Sequence, residues 1–270
     1  MIGSSREAWA RAHDTFVQVV GSEIDAMALA SDLFGMSSAL DSSAGLRRAL
    51  VDPARDAASK TRLVTRLFDG KVSDGALIVL SSLSAGRWAT DRDFTDTVES
   101  FAVEAVVRAA QSAGRLDDLE DELFRFGRVV DGNTALRAAI TDPSRSGKDK
   151  AALVDDLLGT KVGPETRLLA RQSVLAPRGR RFDRVVEAYG AIAARRRDEL
   201  TAMVTTAVAL DPAQRERLAR ALGEIYGRAV QLNVAMDPGV LGGIRIQVGD
   251  EVVDGTILRR LETARRRLAG

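Results

Sequence analysis

The segment Leu46-Arg47-Arg48-Ala49-Leu50-Val51-Asp52-Pro53-Ala54-Arg55 returns as Leu136-Arg137-Ala138-Ala139-Ile140-Thr141-Asp142-Pro143-Ser144-Arg145. The displacement is 90 residues, and it holds without a gap from Gly45–Val72 to Ala135–Val162. Twelve of the 28 aligned pairs are identical, among them Lys60/Lys150, Leu63/Leu153, Val64/Val154, Leu67/Leu157 and Val72/Val162. Identity of this density in one register reads as a duplicated supersecondary unit.

The punctuation is duplicated too. Proline disfavours helix at the residue before it, so a short helix ends at Asp52 and again at Asp142. Asp as a cap and Pro in a first turn then predict the next helix start at the same place. That helix carries Leu63, Val64 and Leu67 on one face, with Lys60 ahead of them. Gly70 and Gly159 stop it. A further helix follows through Ala76–Leu80 and Leu168–Ala170, and Gly86-Arg87 and Gly179-Arg180 read as the next turns. The displacement at those turns has slipped to 93.

Upstream of the first aligned block, Ala8–Leu33 reads as helix, with Trp9, Phe16, Val20, Ile24 and Met27 as candidate core. Phe101–Val130 plays the same part in the second copy, broken near Ala113-Gly114. A long helix from Phe94 is expected to run from one copy into the other. The fold class expected is mainly α: tandem helical-bundle domains at 1–98 and 99–195, then a small α/β domain at 196–270.

The third domain announces itself by a change of period. Leu200–Val208 alternates as a half-buried strand does. Asp211-Pro212 pairs a capping residue with a first-turn proline. The helix that follows carries Leu218, Leu222 and Ile225 and ends near Gly227. Val230–Val234 reads as a second strand. Ile244, Ile246 and Val248 alternate as a third, with Gly249-Asp250 as a turn into Val252-Val253. Thr256 is placed to cap a last basic helix carrying Ile257, Leu258, Leu261 and Leu268.

Composition narrows the function classes. The 270 residues are 45% hydrophobic and 29% charged, an ordinary globular balance. Aromatics are only 4%, so cores must be built from Leu, Ala, Val and Ile. Cysteine is absent, which excludes disulfides, thiolate metal sites and cysteine nucleophiles. Net charge is +1, too balanced for an electrostatic glove around nucleic acid. No segment approaches the roughly 18 apolar residues of a membrane span. Met1–Glu7 lacks the apolar core of a signal peptide, so a cytoplasmic location without membrane insertion is expected.

Catalytic constellations are lacking. Gly70-Lys71 and Gly147-Lys148 fail the phosphate-loop spacing. Leu241-Gly242-Gly243 reads as a bulge or close backbone approach. His13 is the single histidine, which argues against zinc or a nucleophilic triad and reads as a solvent-facing helical residue. Asp155 and Asp156 point about 100° apart on a helix and read as a solvated face. Arg178, Arg180, Arg181 and Arg184, and the later run Arg259, Arg260, Arg265, Arg266 and Arg267, have no interleaved aromatics for base stacking. They read as a solvated or partner-facing surface. No cofactor or metal is expected.

The C-terminal stretch carries a more specific pattern: Asp237-Pro238, then Gly242-Gly243 with alternating apolar residues, Gly249-Asp250, and Asp254-Gly255 leading into a helix. In this order it resembles the end of the delta subunit of F-type ATP synthases, the family that includes the mitochondrial oligomycin-sensitivity-conferring protein. Residues 108–270 look like one nearly whole member, and Trp9-Ala10-Arg11-Ala12 is similar to the family's opening helix motif. The doubled helical domain resembles elongated actinobacterial members, with no stalk-type membrane helix ahead of it.

The resemblance implies a non-catalytic stator subunit of the peripheral stalk, one copy per complex, on the cytoplasmic face of the plasma membrane. It implies two partners: the N-terminal helix of an alpha subunit and the C-terminal helices of b-type stalk subunits. For the alpha-subunit helix the expected contacts are Trp9, Ala12, Leu77 and Leu80. The same strips also fit a core, which is the stronger reading on the residues alone. For the stalk they are Val240, Leu241, Ile257, Leu261 and Arg265. Which helical copy takes the alpha subunit stays open, and a helical adaptor or RNA-binding module is the competing reading.

Overall fold

The computed structural model describes residues 3–22, 24–198, 200–227, 229–237, 243–248 and 251–254. Among them are twelve helices and four strands, so the fold is mainly α with one small sheet. They form two compact units, 1–194 and 195–270.

The first unit is helical. Its first half holds α1 (Gly3–Gly21), α2 (Ala26–Ser42), α3 (Ala44–Val51), α4 (Ala57–Phe68) and α5 (Asp74–Ala85). Then come α6 (Asp91–Ser112), α7 (Leu116–Gly132), α8 (Thr134–Thr141), α9 (Gly147–Leu158), α10 (Pro164–Leu175) and α11 (Phe182–Asp198). Adding 90 to each end of α2, α3, α4 and α5 gives the ends of α7, α8, α9 and α10. Adding 90 to α1 gives 93–111, which lies within α6. The helix that closes the first copy is therefore also the helix that opens the second. The division expected at 98/99 falls inside it.

Local chemistry sets the boundaries. The break after α6 is made by Gly114, whose φ of +68° is a left-handed conformation that glycine enters without a Cβ clash. Asp52 and Asp142 do end α3 and α8, but the prolines after them do not open the next helices. Each Asp Oδ1 instead accepts a backbone hydrogen bond two residues on, from Ala54 at 2.9 Å and Ser144 at 2.8 Å. The caps of α4 and α9 are Asp56 and Ser146. The single helix expected over 8–33 is broken between α1 and α2, where Asp25 caps the backbone amides of Met27 and Ala28. The slip to 93 is also corrected. Helices keep the displacement of 90 through Leu175, Gly86 and Ala176 are the matching C-caps, and one residue is added in the loop before α11.

The main core runs from Ala8 through Leu123 and takes in Leu169, Val185, Tyr189 and Ala193. Phe126, Val130, Ile140, Val154, Ala170 and Val186 belong to a second, smaller cluster. Because α6 is enclosed by both copies, nearly its whole circumference is buried, from Phe94 and Val98 to Val107 and Ala110.

The second unit contains β1 (Leu200–Thr206), α12 (Pro212–Tyr226), β2 (Val230–Met236), β3 (Ile244–Val248) and β4 (Glu251–Asp254). The sheet order is β2-β1-β3-β4. The β1–β2 pair is parallel, which requires the α12 crossover, and the other two pairs are antiparallel. Val204 stands opposite both Val234 and Ile246, so the apolar set shares one face. Ala202, Val204, Leu222, Val230, Ile246 and Val248 form the core. Asp211 and Gln214 make a reciprocal capping box. Ile225, expected on the inner face of α12, is 72% exposed; Tyr226 packs inward in its place. The expected last helix lies outside the described residues.

Candidate partner-binding surface

α1 and α5 run antiparallel. A Cβ at Gly86 would lie 2.6 Å from the Ala8 Cβ, Thr15 Oγ1 and Ser82 Oγ share a 3.0 Å hydrogen bond, and a Cβ at Gly75 would lie 3.0 Å from Val19. Small residues at the crossing points allow this approach. Ala12 and Leu80 are wholly buried, so a docking helix cannot reach them. Trp9 is half-buried but turned toward α6, its ring 6.3 Å from Phe101. Leu77 is half-buried and packs against the core. The residues that α1 and α5 leave exposed are others, among them Arg6, Glu7, Arg11, Asp14 and Gln18 on α1, and Asp74, Ile78 and Ala85 on α5. Ile78 is the apolar one among large side chains, at 51% exposure. The expected residues followed the apolar helical period, and strongly apolar positions are those that burial claims first.

His13 is not the solvent-facing residue expected. It stacks on Trp9 at 4.5 Å and reaches Glu104 on α6 at 3.2 Å. Arg108, one turn on, donates to the same carboxylate at 2.9 Å and lies 5.6 Å from the Phe16 ring centroid. Burial opposes the Glu104 charge, but the His13 and Arg108 contacts outweigh it and hold its carboxyl below the ordinary value.

The first basic run is largely consumed inside the unit. Glu99, with 4% of its side chain exposed, receives Arg178 at 3.0 Å, Arg180 at 2.6 Å and the Tyr189 hydroxyl at 2.7 Å. Arg178 also pairs with Asp41 at the end of α2 and Asp96 on α6, from a backbone at φ +56°. Arg181 pairs with Asp183 and Arg184 with Glu187. Asp155 pairs with Arg171 and Arg167, so it is not simply solvated. The stretch Pro177–Arg180 thus ties the second copy's last loop to α2 and α6. Sequence reasoning missed this cluster, although a glutamate amid the apolar run Val98–Val107 was a signal that something must satisfy it.

Val240, Leu241, Ile257, Leu261 and Arg265, and the second basic run, lie outside the described residues. No helix among the described residues is long and apolar enough to cross a membrane. No group of three or more His, Asp or Glu among them could hold a metal ion.

The sequence profile of the family described as ATP synthase delta (OSCP) subunit matches residues 102–268. The chain is 47% identical over 254 residues to the ATP synthase subunit delta of Kineococcus radiotolerans, covering 94% of this chain and 92% of that one. It is 46% identical to the ATP synthase subunit delta of Streptomyces avermitilis, covering 99% and 98%. The chain belongs to the ATP synthase delta (OSCP) family. The family profile begins inside α6 and takes in the second copy and the sheet unit, leaving the first copy outside it. The match to Streptomyces avermitilis runs end to end, so the first copy is part of what these delta subunits share.

Proposed function

We propose that this chain is a non-catalytic stator subunit of ATP synthase, joining the catalytic head to the peripheral stalk. The head contact is the N-terminal helix of an alpha subunit, and the stalk contact is the C-terminal helices of the b-type subunits through residues 196–270. One chain serves each complex, at the cytoplasmic face of the plasma membrane. Its work is to resist the torque that rotation exerts on the head during proton-driven synthesis. The observation that carries this reading is the end-to-end similarity to proteins named ATP synthase subunit delta. A helical unit whose copies share one continuous helix suits a part that bears load without turning over.

The RNA-binding alternative loses part of its support, since Arg178 and Arg180 of the first basic run are committed to Glu99. The test mixes the purified catalytic head and a soluble segment of the b-type stalk subunits, with and without this chain, and follows sedimentation. The expected result is co-migration of head and stalk segment only when the chain is present. Co-migration that does not depend on the chain, or none at all, would overturn the reading.

A further inference from the structure

We infer that Lys60 and Arg87, where α4 begins and α5 ends in the first copy, form a binding site for a small oxyanion. The site stands apart from the stator reading above and does not depend on it.

The inner face of α4 is Lys60, Val64 and Phe68, one residue per turn, and all three are buried. Val64 belongs to the main core. Lys60 is only 3% exposed, a burial that lysine rarely takes without a partner. Among the described residues its ammonium has neither a hydrogen-bond acceptor nor an ion-pair partner. The acid that acts on it is Asp52, at the end of α3. That carboxylate is engaged elsewhere: Oδ1 accepts from the Ala54 amide at 2.9 Å, and Oδ2 lies 3.6 Å from Arg55.

A second cation stands beside it. α4 and α5 follow one another through a short link and pack together, so the start of α4 lies by the end of α5. Just past that end is Arg87, exposed and, among the described residues, without a partner. Burial pulls the Lys60 ammonium below the ordinary lysine value; Asp52 opposes this and Arg87 adds to it. Two neighbouring cations and one preoccupied carboxylate attract negative charge. The lysine supplies a point charge and the arginine a planar fork, a combination suited to phosphate or carboxylate oxygens. The second copy is an internal control. Lys150 and Asp142 hold the places of Lys60 and Asp52, but Lys150 is half-buried and Pro177 stands 90 residues on from Arg87. The pair of cations exists in the first copy alone.

The test is side-chain NMR, since the chain has only five lysines to resolve. The full chain is titrated with sodium phosphate and, separately, with sodium acetate, with chloride holding the ionic strength constant. The Lys60 ε-methylene and ammonium signals should shift and saturate while those of Lys150 stay in place. Lys60→Met keeps the buried stem and should abolish the response. Arg87→Ser, at an exposed position that leaves the fold intact, should weaken it about tenfold. A tighter response to phosphate assigns the site to the free anion, and a tighter response to acetate assigns it to a carboxylate side chain of a partner; either supports it. Titrations that move Lys60 and Lys150 alike or leave both still, or an Arg87→Ser chain that responds as the wild type does, would overturn the inference. None of these outcomes bears on the stator reading.

Discussion

The Tyr189 hydroxyl donates a 2.7 Å hydrogen bond to Glu99, tying α11 to α6 across 90 residues of sequence. Burial, reinforced by the Glu99 charge, pushes the tyrosine's pKa upward, so it stays a neutral donor. Glu99 also balances Arg178 and Arg180. Removing it takes the carboxylate from Arg180 and the most buried of three from Arg178, which keeps Asp41 and Asp96, so Glu99→Ala should cost about 3 kcal/mol. Denaturant unfolding checks this as a fall in midpoint at unchanged slope. Tyr189→Phe should cost only about 1 kcal/mol.

Gly86 is tight for reasons of space, since a Cβ there would lie 2.6 Å from the Ala8 Cβ. Gly86→Ala must push the start of α1 away from the end of α5. The expected loss is about 1–3 kcal/mol. Thermal melting of Gly86→Ala beside Gly35→Ala isolates the clash, because nothing lies within 4 Å of a Cβ at Gly35.

Glu104 should shape the acid limb of stability. Its carboxyl titrates below the ordinary glutamate value of 4.5 in the folded chain. Its contribution is therefore full above pH 4.5 and is lost as pH falls through the lower folded value. Glu104→Gln should be less stable than wild type at neutral pH, and the two should converge in acid. Curves that stay parallel down to the acid transition would show that this carboxylate carries no such linkage.

The Asp211 cap holds the first turn of the crossover helix. Asp211→Ala removes its acceptor for the Gln214 amide at 2.7 Å and should cost about 1 kcal/mol. Hydrogen exchange of amides near the start of α12 should quicken, while those of α1 to α10 keep their wild-type rates.

Much of the fold was legible because its punctuation is chemical. Pro53 and Pro143, Gly70 and Gly159, and the Asp211-Pro212 start all act locally, and the repeated register made each boundary count twice. The α1–α2 break was hidden because Val20, Ile24 and Met27 continue the apolar period across it, while Asp25 caps the second helix. Which residues of α1 and α5 face outward was also illegible. Trp9, Ala12 and Leu80 have a strong drive to bury, and the outer face carries Arg11, Gln18 and Ile78. Nor could local pattern pair Glu99 with partners some 80 and 90 residues downstream. Such contacts exist only once both bundles have closed.

Asp91–Ser112 belongs to two bundles at once. The side chains buried along it must satisfy two sets of neighbours, as a party wall answers to both houses. A substitution there is judged twice, so the helix should tolerate the fewest changes in the chain. Neither bundle can be excised by a cut at 98/99, because each would leave with half of a helix the other also needs. The repeat is a fusion in which one element is spoken by both sentences.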